Sequence, residues 1–235
     1  MNVRAHPTVR PFALALGVFP RERSADKLAF VGPPALDLAQ ALLSDTLGVL
    51  STFPVRHRVV FTSMANLDSR EPKLPATWRA MPQRGENPGE RVQSAFEDLF
   101  DLGAEAVLLL SADNPVMPLG ALFDGLMWLL PKKRLLVGPA DTGGLFAIGT
   151  AERVEWLAEV GGGLGILGED RLKSVAPHVT EEAKRRSVDV QTLESSYHVS
   201  NIETLKRLYG DVQKGAFAPA CRKLFEREDL KAHVA

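Results

Sequence analysis

Residues 106–115 read Ala-Val-Leu-Leu-Leu-Ser-Ala-Asp-Asn-Pro, an apolar run that stops at a carboxylate. A strand with one wet face alternates apolar and polar residues, and this run does not. It predicts a strand covered by helices on both faces, as in a mostly parallel sheet. Ligands of such open sheets bind at the carboxyl ends of the strands. Asp113 at that end, with no basic neighbour in sequence to neutralise it, suits a divalent cation that carries phosphate oxygens, and so group transfer at phosphate-linked substrates. A turn aspartate would look the same: Asp113 as an N-cap, with Pro115 near the first helical position. The run itself leaves both readings open.

Two further segments carry residues with chemical potential. Residues 83–91 read Gln-Arg-Gly-Glu-Asn-Pro-Gly-Glu-Arg. Asn87 is a good N-cap, Pro88 suits the first helical position, and Val92, Ala95, Phe96, Leu99 and Phe100 then form one apolar face. Free backbone N–H groups at that helix start, preceded by Gly85, would bind an anion, with the Arg91 guanidinium one turn in. A plain capped helix uses the same residues. Residues 138–149 place Asp141-Thr142-Gly143-Gly144 between two strands. Gly143 and Gly144 let the backbone approach a ligand closely, and Asp141 or Thr142 could face substrate or metal. A structural turn would also be built this way.

In order and spacing, these three segments resemble a family of transferases with the glycosyltransferase-A nucleotide-binding fold. These are the proteins labelled radical-SAM/selenodomain-associated or arsenosugar-biosynthesis glycosyltransferases, related in fold to the phospholactate guanylyltransferases. The family reads Gln-x-Gly-x-x-x-Gly-x-Arg at a helix start, a strand ending Ser-Asp-x-Pro, then Gly-Pro-Ala-x-Asp-Gly-Gly-Tyr-Tyr-x-Ile-Gly. The resemblance covers residues 12–210, and its specific part is 83–149. It implies a nucleotide-dependent transferase, with glycosyl transfer from a nucleotide-diphospho-sugar first and guanylyltransferase-like nucleotidyl transfer second. It also implies a divalent cation, magnesium or manganese, and a nucleotide or nucleotide-sugar partner with a small-molecule acceptor.

Three departures bear on the site. The family's basic Lys-Thr-Arg-Leu loop is here Ala25-Asp26-Lys27-Leu28, with Arg21 and Arg23 close enough to share phosphate binding with Lys27. The acid of Asp-Gly-Gly-Tyr is replaced by Thr142, with Asp141 displaced by one position. The family's Tyr-Asp-Val-Asp-Thr stands as Tyr197-His198-Val199-Ser200-Asn201, where His198 would suit a softer metal such as manganese or zinc. The implied site is therefore Asp113 and Asp141 for catalysis, and Asp113 and His198 for metal. Arg21, Arg23, Lys27, Gly85, Arg91, Gly143 and Gly144 would bind nucleotide and phosphate. The lost acids at Thr142 and Ser200 keep a different class open, a catalytically silent nucleotide- or partner-binding protein.

The elements that must position these residues alternate. Strands are expected over residues 12–19, 58–62, 106–111, 134–137 and 145–148, and helices over 34–50, 88–100 and 118–130. After residue 149 the pattern loosens into a glycine-rich loop at 161–168, a short solvated helix at 180–186 and closing helices at 201–209 and 217–228. Alternating β and α predicts a doubly wound, mostly parallel sheet with right-handed crossovers. At 235 residues, 45% of them hydrophobic, one large α/β domain over the whole chain is the economical reading. A net charge of −1 gives no electrostatic footprint for nucleic acid or an anionic membrane. Arg4 and Arg10 before the apolar residues 12–19 imitate a secretory signal. Pro20-Arg21-Glu22-Arg23 follows in place of a cleavage site, so a first buried strand is expected. The single cysteine, Cys221, reads as an inert thiol and suits a reducing cytoplasm.

Overall fold

The structure, a computed structural model, describes residues 13–19, 28–63, 66, 73–130, 132–141, 143–161 and 175–234. These form seven strands: β1 Leu14–Phe19, β2 His57–Thr62, β3 Arg79–Pro82, β4 Ala106–Ser111, β5 Arg134–Pro139, β6 Leu145–Thr150 and β7 Asp189–Thr192. The helices are α1 Ala35–Leu50, α2 Pro88–Asp101, α3 Leu119–Trp128, α4 Leu157–Gly161, α5 Val175–Arg185, α6 Ile202–Gln213, α7 Pro219–Leu224 and α8 Glu228–Val234, with a 3-10 turn at Ala29–Val31. All strands lie in one sheet of order β3-β2-β1-β4-β6-β5-β7. β1 pairs in parallel with β2 and β4, as do β2 with β3 and β5 with β7. β6 is antiparallel to both β4 and β5. The carboxyl ends of the other six strands therefore share one rim, and this places residues 112–117, 140, 141, 143, 144 and 193–200 together.

β4 shows why residues 106–110 include no polar position. Leu108 and Leu110 enter a core with Leu43, Leu47 and Leu50 of α1 and Leu122 and Leu126 of α3. Val107 and Leu109 enter the core on the opposite face, with Phe96 and Leu99 of α2 and Val175 and Val179 of α5. Each such fully buried leucine contributes about 1.5 to 3 kcal/mol relative to exposure. A third core joins Ala35, Leu38 and Leu42 of α1 to Leu205 and Leu208 of α6, Cys221 of α7 and Leu230 of α8. The first half of α1 thus holds the carboxyl-terminal helices, and the second half holds the sheet.

All five expected strands are present, and β1, β2, β5 and β6 differ from the expected bounds by one or two residues at their ends. β3 and β7 were not expected. Both are four-residue edge strands, half exposed, with no apolar run to announce them. The expected helix at 180–186 starts earlier, at Val175, where Val175, Val179 and Ala183 form a buried stripe. The expected closing helix at 217–228 divides into α7 and α8. No helix among the described residues is long and apolar enough to cross a membrane.

Candidate functional site

β4 delivers Asp113 to the rim through Ala112, which two hydrogen bonds fix. The Ala112 N–H donates to the Phe19 carbonyl at 3.1 Å, extending the β1–β4 pairing, and the Thr46 hydroxyl of α1 donates to the Ala112 carbonyl at 3.0 Å. Opposite Asp113 runs the connector from β7 to α6, residues 193–200. It is stitched across the rim by backbone hydrogen bonds from Leu193 to Val137 at 2.8 Å, Ser196 to Pro139 at 3.1 Å, and Val199 to Asp113 at 3.1 Å. The buried Asn114 adds a side-chain tie, its Nδ2 donating to Ser196 Oγ at 2.9 Å.

This route brings together Asp113 and His198, 85 residues apart in sequence, with His198 Nδ1 2.9 Å from Asp113 Oδ1. The Ser111 hydroxyl lies 3.3 Å from the same nitrogen. An ionised carboxylate only accepts, so the proton belongs on Nδ1 and points at Asp113. His198 is fully buried, while the Asp113 side chain keeps 15% of its surface. Of the pair, only Asp113 reaches solvent. A divalent cation fits it in part. Cis ligands of an octahedral ion with bonds of about 2.1 Å stand about 3.0 Å apart, close to the N–O spacing here. Among the described residues, no group of three or more histidine, cysteine, aspartate or glutamate side chains surrounds a common point, so the ion would need the oxygens of its substrate. His198 orients Asp113 as the structure stands, and becomes a ligand only when that hydrogen bond is exchanged for an ion.

Asp141 is held elsewhere on the rim, in the turn between β5 and β6. Its N–H donates to the Ser196 carbonyl at 2.7 Å, and its Oδ2 receives Arg207 Nη1 at 2.8 Å. The Ser195 hydroxyl and the Arg207 guanidinium hold its carboxyl below the usual range. Gly143 and Gly144 have φ of +100° and +73°, the left-handed backbone that closes this turn, with the Gly143 N–H donating to the Ala140 carbonyl at 2.9 Å. The turn alone accounts for both glycines, and Asp141 serves as an anchor for Arg207.

Sequence reasoning missed Arg207. Its guanidinium lies over the Tyr197 ring at 4.1 Å, and the Tyr197 hydroxyl donates to Asp211 Oδ2 at 2.7 Å. Burial and the Asp211 carboxylate push the Tyr197 phenol up, so it stays a neutral donor. The signal was present in the spacing of Arg207, Asp211 and Lys214, which puts three charges on one face of a helix capped by Asn201. With the connector and residues 116–118, that face lines an open cleft of about 440 Å³, whose lining includes Val116, three residues after Asp113, and Tyr197, the neighbour of His198 in sequence.

The 83–91 segment reaches the same rim, but at the carboxyl end of β3, with β2 and β1 between it and β4. Its helix start is more fully satisfied than expected. Asn87 Oδ1 accepts the Glu90 N–H at 3.0 Å, and the Glu90 carboxylate folds back to accept the Glu86 N–H at 2.7 Å. The expectation of free N–H groups at the helix start is corrected at Glu90. Arg91 Nε donates to the Gly85 carbonyl at 3.2 Å. Gly85 has φ of +123°, and a Cβ there would lie 2.7 Å from Glu90 Cβ and 2.8 Å from Arg91 N, so the fold-back itself requires glycine. Arg21, Arg23, Lys27 and Thr142 lie outside the described residues.

One mixed seven-stranded sheet flanked by helices is an α/β fold that matches solved nucleotide-diphospho-sugar transferase-like structures. A candidate nucleotide-diphospho-sugar transferase from Desulfovibrio desulfuricans G20 superposes with a TM-score of 0.78 at 22% identity, over 95% of this chain and 99% of that one. The 4-diphosphocytidyl-2C-methyl-D-erythritol synthase of Anaerococcus prevotii DSM 20548 superposes at 0.59 with 11% identity, over 86% and 96%. A Mycobacterium tuberculosis H37Rv protein solved in complex with manganese superposes at 0.53 with 12% identity, over 85% and 98%. In sequence, residues 46–160 match a family described as an uncharacterized protein conserved in bacteria, DUF2064. That match takes in Gly85, Arg91, Asp113 and Asp141, and stops short of His198. The chain is similar in sequence to none of the curated proteins.

Proposed function

We propose that the chain is a nucleotide-dependent transferase built as one domain, and that it transfers a glycosyl group from a nucleotide-diphospho-sugar. The observation that carries this reading is the Asp113 carboxylate, aimed from the end of the central β4 by a buried histidine. Asp113 would hold a divalent cation, with His198 behind it, and the cation would neutralise the diphosphate. Arg21, Arg23 and Lys27, from the segment that follows β1, would contact phosphate oxygens, and Gly85 and Arg91 would border the nucleotide on the β3 side. The acceptor hydroxyl would form the new bond to the anomeric carbon while the nucleoside diphosphate leaves. What the protein contributes is positioning and charge neutralisation. Nucleotidyl transfer is the second reading, supported by the synthase among the structural neighbours; there pyrophosphate would leave in place of a nucleoside diphosphate.

Calorimetric titration with UDP-, GDP- and CDP-sugars and with CTP and GTP, each with and without manganese, tests the proposal. Metal-dependent binding should vanish in Asp113→Asn, which keeps a side-chain acceptor for His198 and so the fold. Release of nucleoside diphosphate or of pyrophosphate during turnover separates the two chemistries. Binding that needs no metal and survives Asp113→Asn would instead support a silent nucleotide-binding protein.

A further inference from the structure

The 440 Å³ cleft is bounded by the segment that follows Asp113, by the segment that precedes His198 and by the charged face of α6. We infer that it is the acceptor subsite, and that it takes a neutral, hydroxyl-rich molecule, a sugar or polyol; the word acceptor rests on the transferase reading above.

One wall is apolar, formed by Val116, Met117 and Pro118, and suits the C–H face of a sugar ring. The floor is polar and only partly used. Ser196 Oγ already accepts from Asn114, which leaves its own proton to donate. Asp211 takes the Tyr197 hydroxyl on Oδ2, which leaves Oδ1 to accept. Lys214 at the end of α6 has no ion-pair partner among the described residues.

The charge balance selects the ligand class. The lining carries two cations, Arg207 and Lys214, and two carboxylates, Asp211 and Glu194, so an anionic ligand would meet both carboxylates. A cationic ligand would meet Lys214 and Arg207. Hydroxyl groups both donate and accept, and so can use the lysine, the carboxylates and the serine at once.

Ligand-observed saturation-transfer NMR on the full chain tests this. Methyl α-glucoside, methyl β-galactoside and myo-inositol are the neutral probes, with glucuronate and glucosamine as the charged ones. At least one neutral probe should receive saturation more strongly than either charged probe. Ala216→Trp, which fills the cleft from a half-buried position, should abolish the signal. Lys214→Gln should weaken binding about tenfold, the cost of one charged hydrogen bond. Both variants should titrate with nucleotide and manganese as the parent does, since neither residue belongs to the proposed nucleotide site. Nucleotide binding with no transfer to any neutral probe would overturn the inference. So would a signal that persists in Ala216→Trp, or glucuronate or glucosamine binding better than all three neutral probes. Neutral probes bound in the cleft of a chain that binds no nucleotide would support the site while overturning the transferase reading.

Discussion

At the scale of single residues, the unusual feature is a buried histidine paired with the carboxylate that follows the central strand. His198 is buried, so Asp113→Ala would leave an imidazole N–H without its acceptor and should cost about 1 to 3 kcal/mol, more than an exposed turn residue would. Measured by urea unfolding, a loss near zero would mean the pair is not formed in solution. An adjacent neutral residue gives a second test. Ser200 cannot match a carboxylate as a ligand for a hard ion, so Ser200→Asp should tighten magnesium-nucleotide binding by about 1 to 3 kcal/mol. Unchanged affinity in a folded variant would place Ser200 away from the ion. His57, at the start of β2, is a different case. Neither ring nitrogen has a hydrogen-bond partner among the described residues, and burial, with Arg56 and Arg79 nearby, lowers its pKa from the ordinary 6.5. A lowered folded pKa means the unfolded chain binds the proton first. The stability held above about pH 6.5 should therefore decline as the pH falls through that value toward the folded pKa, then level off. His57→Leu should flatten this part of the profile in unfolding experiments at pH 7.5 and 5.5; an identical decline in both proteins would exonerate His57.

At the scale of elements, the order of chain segments hides a contact that decides how the carboxyl-terminal helices attach. Asp45, buried in α1, accepts the N–H groups of Ala220 and Cys221 at 2.8 Å each, one on each carboxylate oxygen, and so caps α7 from a helix 175 residues earlier. Asp45→Ala would orphan two backbone donors and should cost about 2 to 4 kcal/mol. Burial holds the Cys221 thiol pKa well above its ordinary value, so it should react with a thiol reagent only when α7 detaches, and faster in the variant. Equal thiol reactivity and equal stability would show that the cap is dispensable. No local pattern reveals Asp45, because an acid within a helical apolar stripe is legible only once its partner is known. Asp113 was legible for the opposite reason, since its strand is apolar from Ala106 to Leu110 and the acid follows two residues after the strand ends. Arg207 fell between these cases: the stripe it shares with Asp211 and Lys214 was readable, but the Tyr197 ring beneath it was not. The direction of β6 was equally hidden, because a strand buried on both faces looks the same whether it runs parallel or antiparallel.

At the scale of the whole molecule, the sheet is graded from centre to edge. β1, β4 and β6 are buried at every residue and paired on both sides, whereas β3 and β7 are short, half exposed and paired on one side only. This grading explains why five strands could be read from apolar runs and two could not. It also sets the order in which the molecule should open. The central amides exchange only when both helical layers come away from the sheet, which is nearly global unfolding, while edge amides exchange through local fraying. Native-state hydrogen exchange should therefore rank residues 107–110 of β4 with the slowest amides, at a free energy equal to that of global unfolding. Residues 79–82 and 189–192 should open at distinctly lower free energies. The connector at 193–200 is held by a ladder of backbone bonds to β5 and β4, so it should fall between these groups and gain protection when manganese and nucleotide are added. Edge strands as protected as β4 would mean that the molecule opens as a single unit, and a connector indifferent to ligand would remove it from the site.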